Sequence, residues 1–130
     1  WLFALTAIIC SCAETQDEKA TPLMSDIESL YGSGQYKQTL DSIMSLRKNY
    51  PDAIESRKRA LKIWQNASLK MAQQDIARTD SALQATLKAI SSTGNIGKRN
   101  MLGVKRDSLK ARYEAMCGVV RMIHYRQRMK

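Results

Sequence analysis

The sequence predicts an all-α chain, and three observations carry that prediction. Pro occurs only at Pro22 and Pro51, and Val and Phe are sparse, which favours helix over sheet. Residues 52–93 contain neither Pro nor Gly, and apolar residues recur there every three or four positions. The last thirty residues repeat apolar positions with a heptad-like spacing. Helix packing must hold the fold, because the cysteines supply no disulfide framework.

Residues 12–20 read as a polar tether. Thr21-Pro22 is a good helix start, since Pro is tolerated at the first helical position; Ser25 with Glu28 is an alternative capping box. Ile27, Leu30 and Tyr31 then share one helical face. Gly32-Ser33-Gly34 breaks the helix. A second helix begins at Gln35, with Tyr36, Leu40, Ile43, Met44 and Leu46 or Tyr50 inward. It ends at Tyr50-Pro51, because a residue before Pro resists the helical region. Asp52, with Glu55 three residues on, is the expected cap of the next helix.

That next helix runs to about Ser91. Its expected inward stripe is Ile54, Leu61, Trp64, Ser68, Ala72, Ile76, Thr79, Leu83, Leu87 and Ile90. Ser91 to Gly97 is rich in small and turn-forming residues and stops it. A final helix is expected from about Arg99 to Gln127, with Leu102, Leu109, Tyr113, Met116, Val120 and Ile123 as its seam. The short turn makes the two long helices antiparallel. Counting back from it, Leu102 should face Leu87 and Ile90, and Tyr113 should face Ile76. Trp64 should lie near Val120 to His124.

Gly34, Tyr36, Leu40, Ile43, Leu46, Tyr50 and Pro51 resemble the second half of a tetratricopeptide repeat. The resemblance implies a helix pair over 21–51, with Gly34, Tyr36 and Pro51 as its structural residues. Thr39 stands where that family has a small Ala, and Ile27 where it has Gly or another small residue. One repeat cannot bury its own face, so the hairpin over 52–130 should complete a single domain with it.

Trp1 to Ile9 is apolar apart from Thr6, and a polar stretch follows Cys12 at once. Ile9-Cys10-Ser11-Cys12 resembles the lipobox of bacterial lipoproteins. This implies that residues 1–11 are an export signal, lacking the usual Met and charged leader. The chain is therefore expected to begin inside that signal. Cys12 would carry the lipid, and the mature protein would sit in the cell envelope, on the outer membrane. The run from Lys105 to Gln127 is similar to the C-terminal helix of small Bacteroidetes lipoproteins, a likeness that implies no activity.

The charge of +9 is uneven. Residues 98–130 hold 10 Lys and Arg against Asp107 and Glu114, while residues 1–97 are near balance. Such asymmetry points to a negative partner or surface. The candidate contacts are Lys105, Arg106, Arg121, Arg126 and Arg128, with Arg57, Lys58 and Arg59 as a second patch. If the hairpin closes as expected, that patch meets Arg126 and Arg128.

Catalysis is not expected. Cys117 and His124 are seven residues apart on one helix, about 10 Å of rise, too far for a nucleophile and its base. No metal set, phosphate loop or cofactor motif is present in the sequence. Gly103 and Gly118 inside the last helix each cost stability against Ala; close helix approach would explain them. The leading reading is a lipid-anchored, non-catalytic interaction or scaffold module with a protein partner. The alternatives are a binder of anionic lipid or polysaccharide through the basic helix, and a cytosolic nucleic-acid-binding coiled coil. An exposed seam would also allow self-association.

Overall fold

The computed structural model describes residues 12–129, and the expected export signal at 1–11 lies outside them. Four helices make up the described chain: α1 Gln16–Gly32, α2 Tyr36–Asn49, α3 Ile54–Ser92 and α4 Ile96–Arg128. Helix α3 is the axle, about 58 Å long at 1.5 Å per residue. Helices α1 and α2 pack on each other and on α3, and α4 packs along α3 alone.

The tether expected over 12–20 is shorter than that. Helix α1 starts at Gln16, and Thr15 with Glu18 closes a capping box. The Glu18 amide donates to Thr15 Oγ1 at 3.2 Å, and the Thr15 amide donates to Glu18 Oε2 at 3.0 Å. Pro22 therefore lies inside the helix rather than at its start. An interior Pro costs about 3 kcal/mol, and burial of Ala20 and Met24 on either side of it works against that cost. Ser25 and Glu28 form no box; Glu28 pairs instead with Arg59 on α3.

The α1–α2 turn follows from Gly34, whose φ of +78° is open to glycine at little cost. The Gly34 amide donates to the Tyr31 carbonyl and the Gln35 amide to Leu30, both near 3 Å. That is the Schellman pattern, which satisfies two carbonyls at the helix end. Tyr36 opens α2, and its ring lies 5.8 Å from that of Tyr31. Thr39 is fully buried, and its hydroxyl donates to the Gln35 carbonyl at 2.7 Å. Ile27 is also fully buried, so this helix pair closes over a large side chain. Met44, expected inward, is 56% exposed.

Asp52 does not cap α3. Its carbonyl closes the preceding turn, accepting the Ile54 amide at 2.9 Å. The open amides of α3 are met from another helix: Asp17 of α1 accepts from Ser56 at 2.8 Å and from Glu55 at 3.5 Å. The Ser56 amide chiefly, then the Ser56 hydroxyl, hold the Asp17 carboxyl below its ordinary value. A carboxyl lowered by folding stabilises the fold above its unfolded value of 3.8 and ceases to do so as pH falls through the folded value. Asp17→Ala is therefore expected to lower the melting temperature at neutral pH. The gap from wild type should shrink below pH about 3.8, as read by circular dichroism melts along a pH series.

The core gathers at the α1, α2 and α3 junction. Ala20, Met24, Ile27, Ile43, Leu46, Ala53 and Ala60 are buried there, with Leu23, Tyr50, Ile63 and Trp64 against them. Trp64 packs on this junction, and the Arg47 guanidinium lies 4.7 Å over its ring.

The inward stripe of α3 agrees in part with expectation: Ala72 and Thr79 are buried, and Trp64, Ser68, Ile76, Leu83 and Ile90 are half-covered. Its buried residues are all small: Ser56, Ala60, Ala67, Ala72, Thr79 and Thr86. Ile54, Leu61 and Leu87 stay 52%, 47% and 41% exposed. A helix serving α1 and α2 on one stretch and α4 along its length needs small residues where neighbours come close. Large side chains then straddle the contact from its edges.

On α4 the expected seam holds: Leu102, Leu109, Tyr113, Met116, Val120 and Ile123 are all half-covered. None is fully buried, because one facing helix covers only part of each. Arg112 grips Asp75 through bonds of 3.0–3.2 Å, and Gln127 donates to Asn66 at 3.1 Å. These two pairs set the antiparallel register and put Ile76 beside the level of Tyr113. Helix α4 starts three residues earlier than expected, at Ile96, because Asn95 caps it by accepting the Lys98 amide at 3.1 Å.

Candidate functional site: a cationic end with Cys12 beside it

The hairpin brings the two basic patches together. Lys58, Arg59 and Lys62 from α3 and Arg126 from α4 line one groove of about 640 Å³, with Leu61, Gln65, Gln127 and Met129 between them. Around the start of α3, Arg47, Arg57 and Lys58 line a second groove with Ile54 and Leu61. Arg121, His124, Gln127 and Arg128 frame a third on the adjoining face of α4. Five of the expected contacts, Arg57, Lys58, Arg59, Arg126 and Arg128, therefore share one end of the molecule, and Arg121 lies just along from it.

Lys105 and Arg106 do not join this end. They lie about 30 Å along α4, by rise per residue, towards the hairpin turn. Arg106 is also taken by Asp107 at 3.0 Å.

Part of the positive charge is offset locally. Lys58 meets Glu55 at 3.3 Å, and Arg59 pairs with Glu28, both at exposed positions where such pairs are worth little. Arg57 donates to the Pro51 carbonyl at 2.7 Å, which uses its hydrogen bond and leaves its charge uncancelled. Lys62, Arg126 and Arg128 have no carboxylate in ion-pair range among the described residues. The exposed apolar groups among them, Leu61 at 47% and Met129 at 61%, give the end a mixed cationic and apolar character.

Cys12 belongs to this end through the chain. It is exposed, and no more than about 10 Å of backbone separates it from Thr15. Two residues on, Asp17 is bonded to the first turn of α3, beside Arg57 and Lys58. The sequence alone does not place Cys12 relative to the basic patches. The join runs through a cap from a residue 39 positions away, which no local pattern reveals.

A further groove was not foreseen. Leu40 of α2, Met71 and Ala72 of α3, and Met116 and Val119 of α4 enclose about 530 Å³, with the Asp75–Arg112 pair at its edge. The small side chain of Ala72, 5% exposed, makes its floor. Ser68 and Asp75 also line it, seven residues apart on α3, about 10 Å of rise, whereas Cys117 and His124 are not in its lining. His124 is exposed and Cys117 half-buried, seven residues apart on α4. Among the described residues, no three metal-ligating side chains come together, and no helix is long and apolar enough to cross a membrane. No family model, curated protein or solved structure matches the chain.

Proposed function

We propose that the chain is a non-catalytic interaction module of the cell envelope, held to a membrane by lipid on Cys12. The observation that carries this reading is the Asp17 cap on α3, which ties the segment after Cys12 to the cationic end. A lipid on Cys12 would bring that end to the headgroups. A diacylglyceryl group carries two acyl chains, enough for stable attachment, and the basic patch beside it would hold this end of the module against the headgroups. Near an anionic surface each Lys or Arg adds about 1 kcal/mol. Lys62, Arg126 and Arg128 would contribute most, lacking carboxylate partners. The rest of the hairpin would then be the interaction arm.

Membrane fractionation of cells tests this. Cys12→Ala is expected to move the protein from the membrane to the soluble fraction. Lys62→Glu with Arg126→Glu should leave the lipidated protein membrane-bound at any salt, while weakening binding of the unlipidated Cys12→Ala protein to anionic vesicles. Retention of an unprocessed Cys12→Ala protein in the membrane would refute the anchor.

A further inference from the structure

Helix α4 has a second apolar face, pointing away from α3. Met101, Val104, Met122 and Tyr125 are 75%, 72%, 56% and 59% exposed. With Ser108, Ala111, Ala115 and Gly118 between them, they repeat in unbroken steps of three and four from 101 to 125. That is a second heptad seam, about 36 Å long. Leu102, Leu109, Met116 and Ile123, which meet α3, occupy the opposite side in the same heptad frame.

Gly118 adds an independent observation. A glycine inside a helix costs about 1 kcal/mol against Ala. Within the chain nothing requires it: an added Cβ would come no nearer than 3.8 Å, and only to the end of the Arg121 side chain. Gly118 sits close to the centre of the outer seam, where a second helix crossing there would need it small.

We infer that a second copy of this chain covers this face, with the two α4 helices antiparallel. Centring the pair on Ala115 and Gly118 sets small residues against large ones. Ala115 meets Gly118, Ala111 meets Met122, and Ser108 meets Tyr125. The flanking charges favour the same register. Asp107 comes opposite Arg128 and Glu114 opposite Arg121, each twice by symmetry. On the other flank Lys105 meets Arg126, also twice, so four attractive pairs stand against two repulsive ones. A parallel pair would match Asp107 only with Arg112, which Asp75 already holds. It would also stack Arg121 on Arg126. The antiparallel pair carries the two Cys12 ends to opposite ends of the dimer, so both reach one membrane only if the dimer lies along it. The inference gives the interaction module its partner but does not depend on the anchor.

Sedimentation equilibrium of the full chain in density-matched detergent tests it. Wild type should show a concentration-dependent dimer. Asp107→Arg with Glu114→Arg should weaken the dimer about tenfold or more, and so should Arg121→Glu with Arg128→Glu. The four-site variant, carrying both exchanges, should recover most of the affinity, because every pair is restored with its signs swapped. Gly118→Leu should weaken association while leaving the helicity of the monomer intact by circular dichroism. A wild-type monomer at all concentrations would overturn the inference, and so would a dimer indifferent to either reversal or unrecovered in the four-site variant. Membrane release by Cys12→Ala would be untouched by that failure, so the two readings fall separately.

Discussion

Leu46→Ala is expected to destabilise the protein by about 2–5 kcal/mol. Leu46 is fully buried, and among the described residues it makes up, with Ile27 and Ile43, the large apolar side chains that are wholly removed from water. Apart from Met24, the rest of the junction is built of alanines and half-covered residues, so little can collapse into the space left behind. A domain of this size has about 5–15 kcal/mol of stability in all. The loss should therefore loosen α1 and α2 from α3 before α4 is affected. Amide exchange should speed up first in those two helices, alongside a lower melting temperature. Met44→Ala, at an exposed site on the same helix, should stay within about 0.5 kcal/mol of wild type. Equal losses from the two variants would contradict this account of the core.

Ala67→Leu is expected to cost about 1–3 kcal/mol or more, although it adds apolar bulk to a helix. Ala67 is fully buried on α3, where neighbouring helices leave no room for a larger group. Leu61→Ala, six residues earlier, should cost less than about 1.5 kcal/mol, because Leu61 is already 47% exposed. The order of the two effects is the reverse of the usual expectation that large apolar side chains carry the core. Chemical denaturation of both variants gives the comparison directly.

That reversal explains where the sequence was legible and where it was not. Helix α4 meets a single neighbour, so one stripe of large residues marks its seam, and Leu102 to Ile123 were readable. Helix α3 meets three neighbours at close range, and its buried positions are Ala, Ser and Thr, which carry little hydrophobic signal. The turn at Gly34 was readable because a helix end with positive φ asks for glycine. The start of α1 was misread because Pro22 looks like a first helical residue, although Thr15 and Glu18 already formed a capping box. The cap on α3 was assigned to Asp52 on local spacing, while the carboxylate that supplies it belongs to Asp17 on another helix. Of the candidate site, the meeting of residues 57–62 with Arg126 followed from hairpin register alone. The closeness of Cys12 to that end, the groove over Ala72 and the outer seam of α4 required the assembled helices.

The anchor on Cys12 is the claim on which the functional reading turns, and the intact mass of the detergent-extracted protein tests it most directly. The expected result is a chain beginning at Cys12, heavier by a diacylglyceryl group on the thiol. A chain that retains residues before Cys12, or one that begins there with an unmodified thiol, would contradict the account.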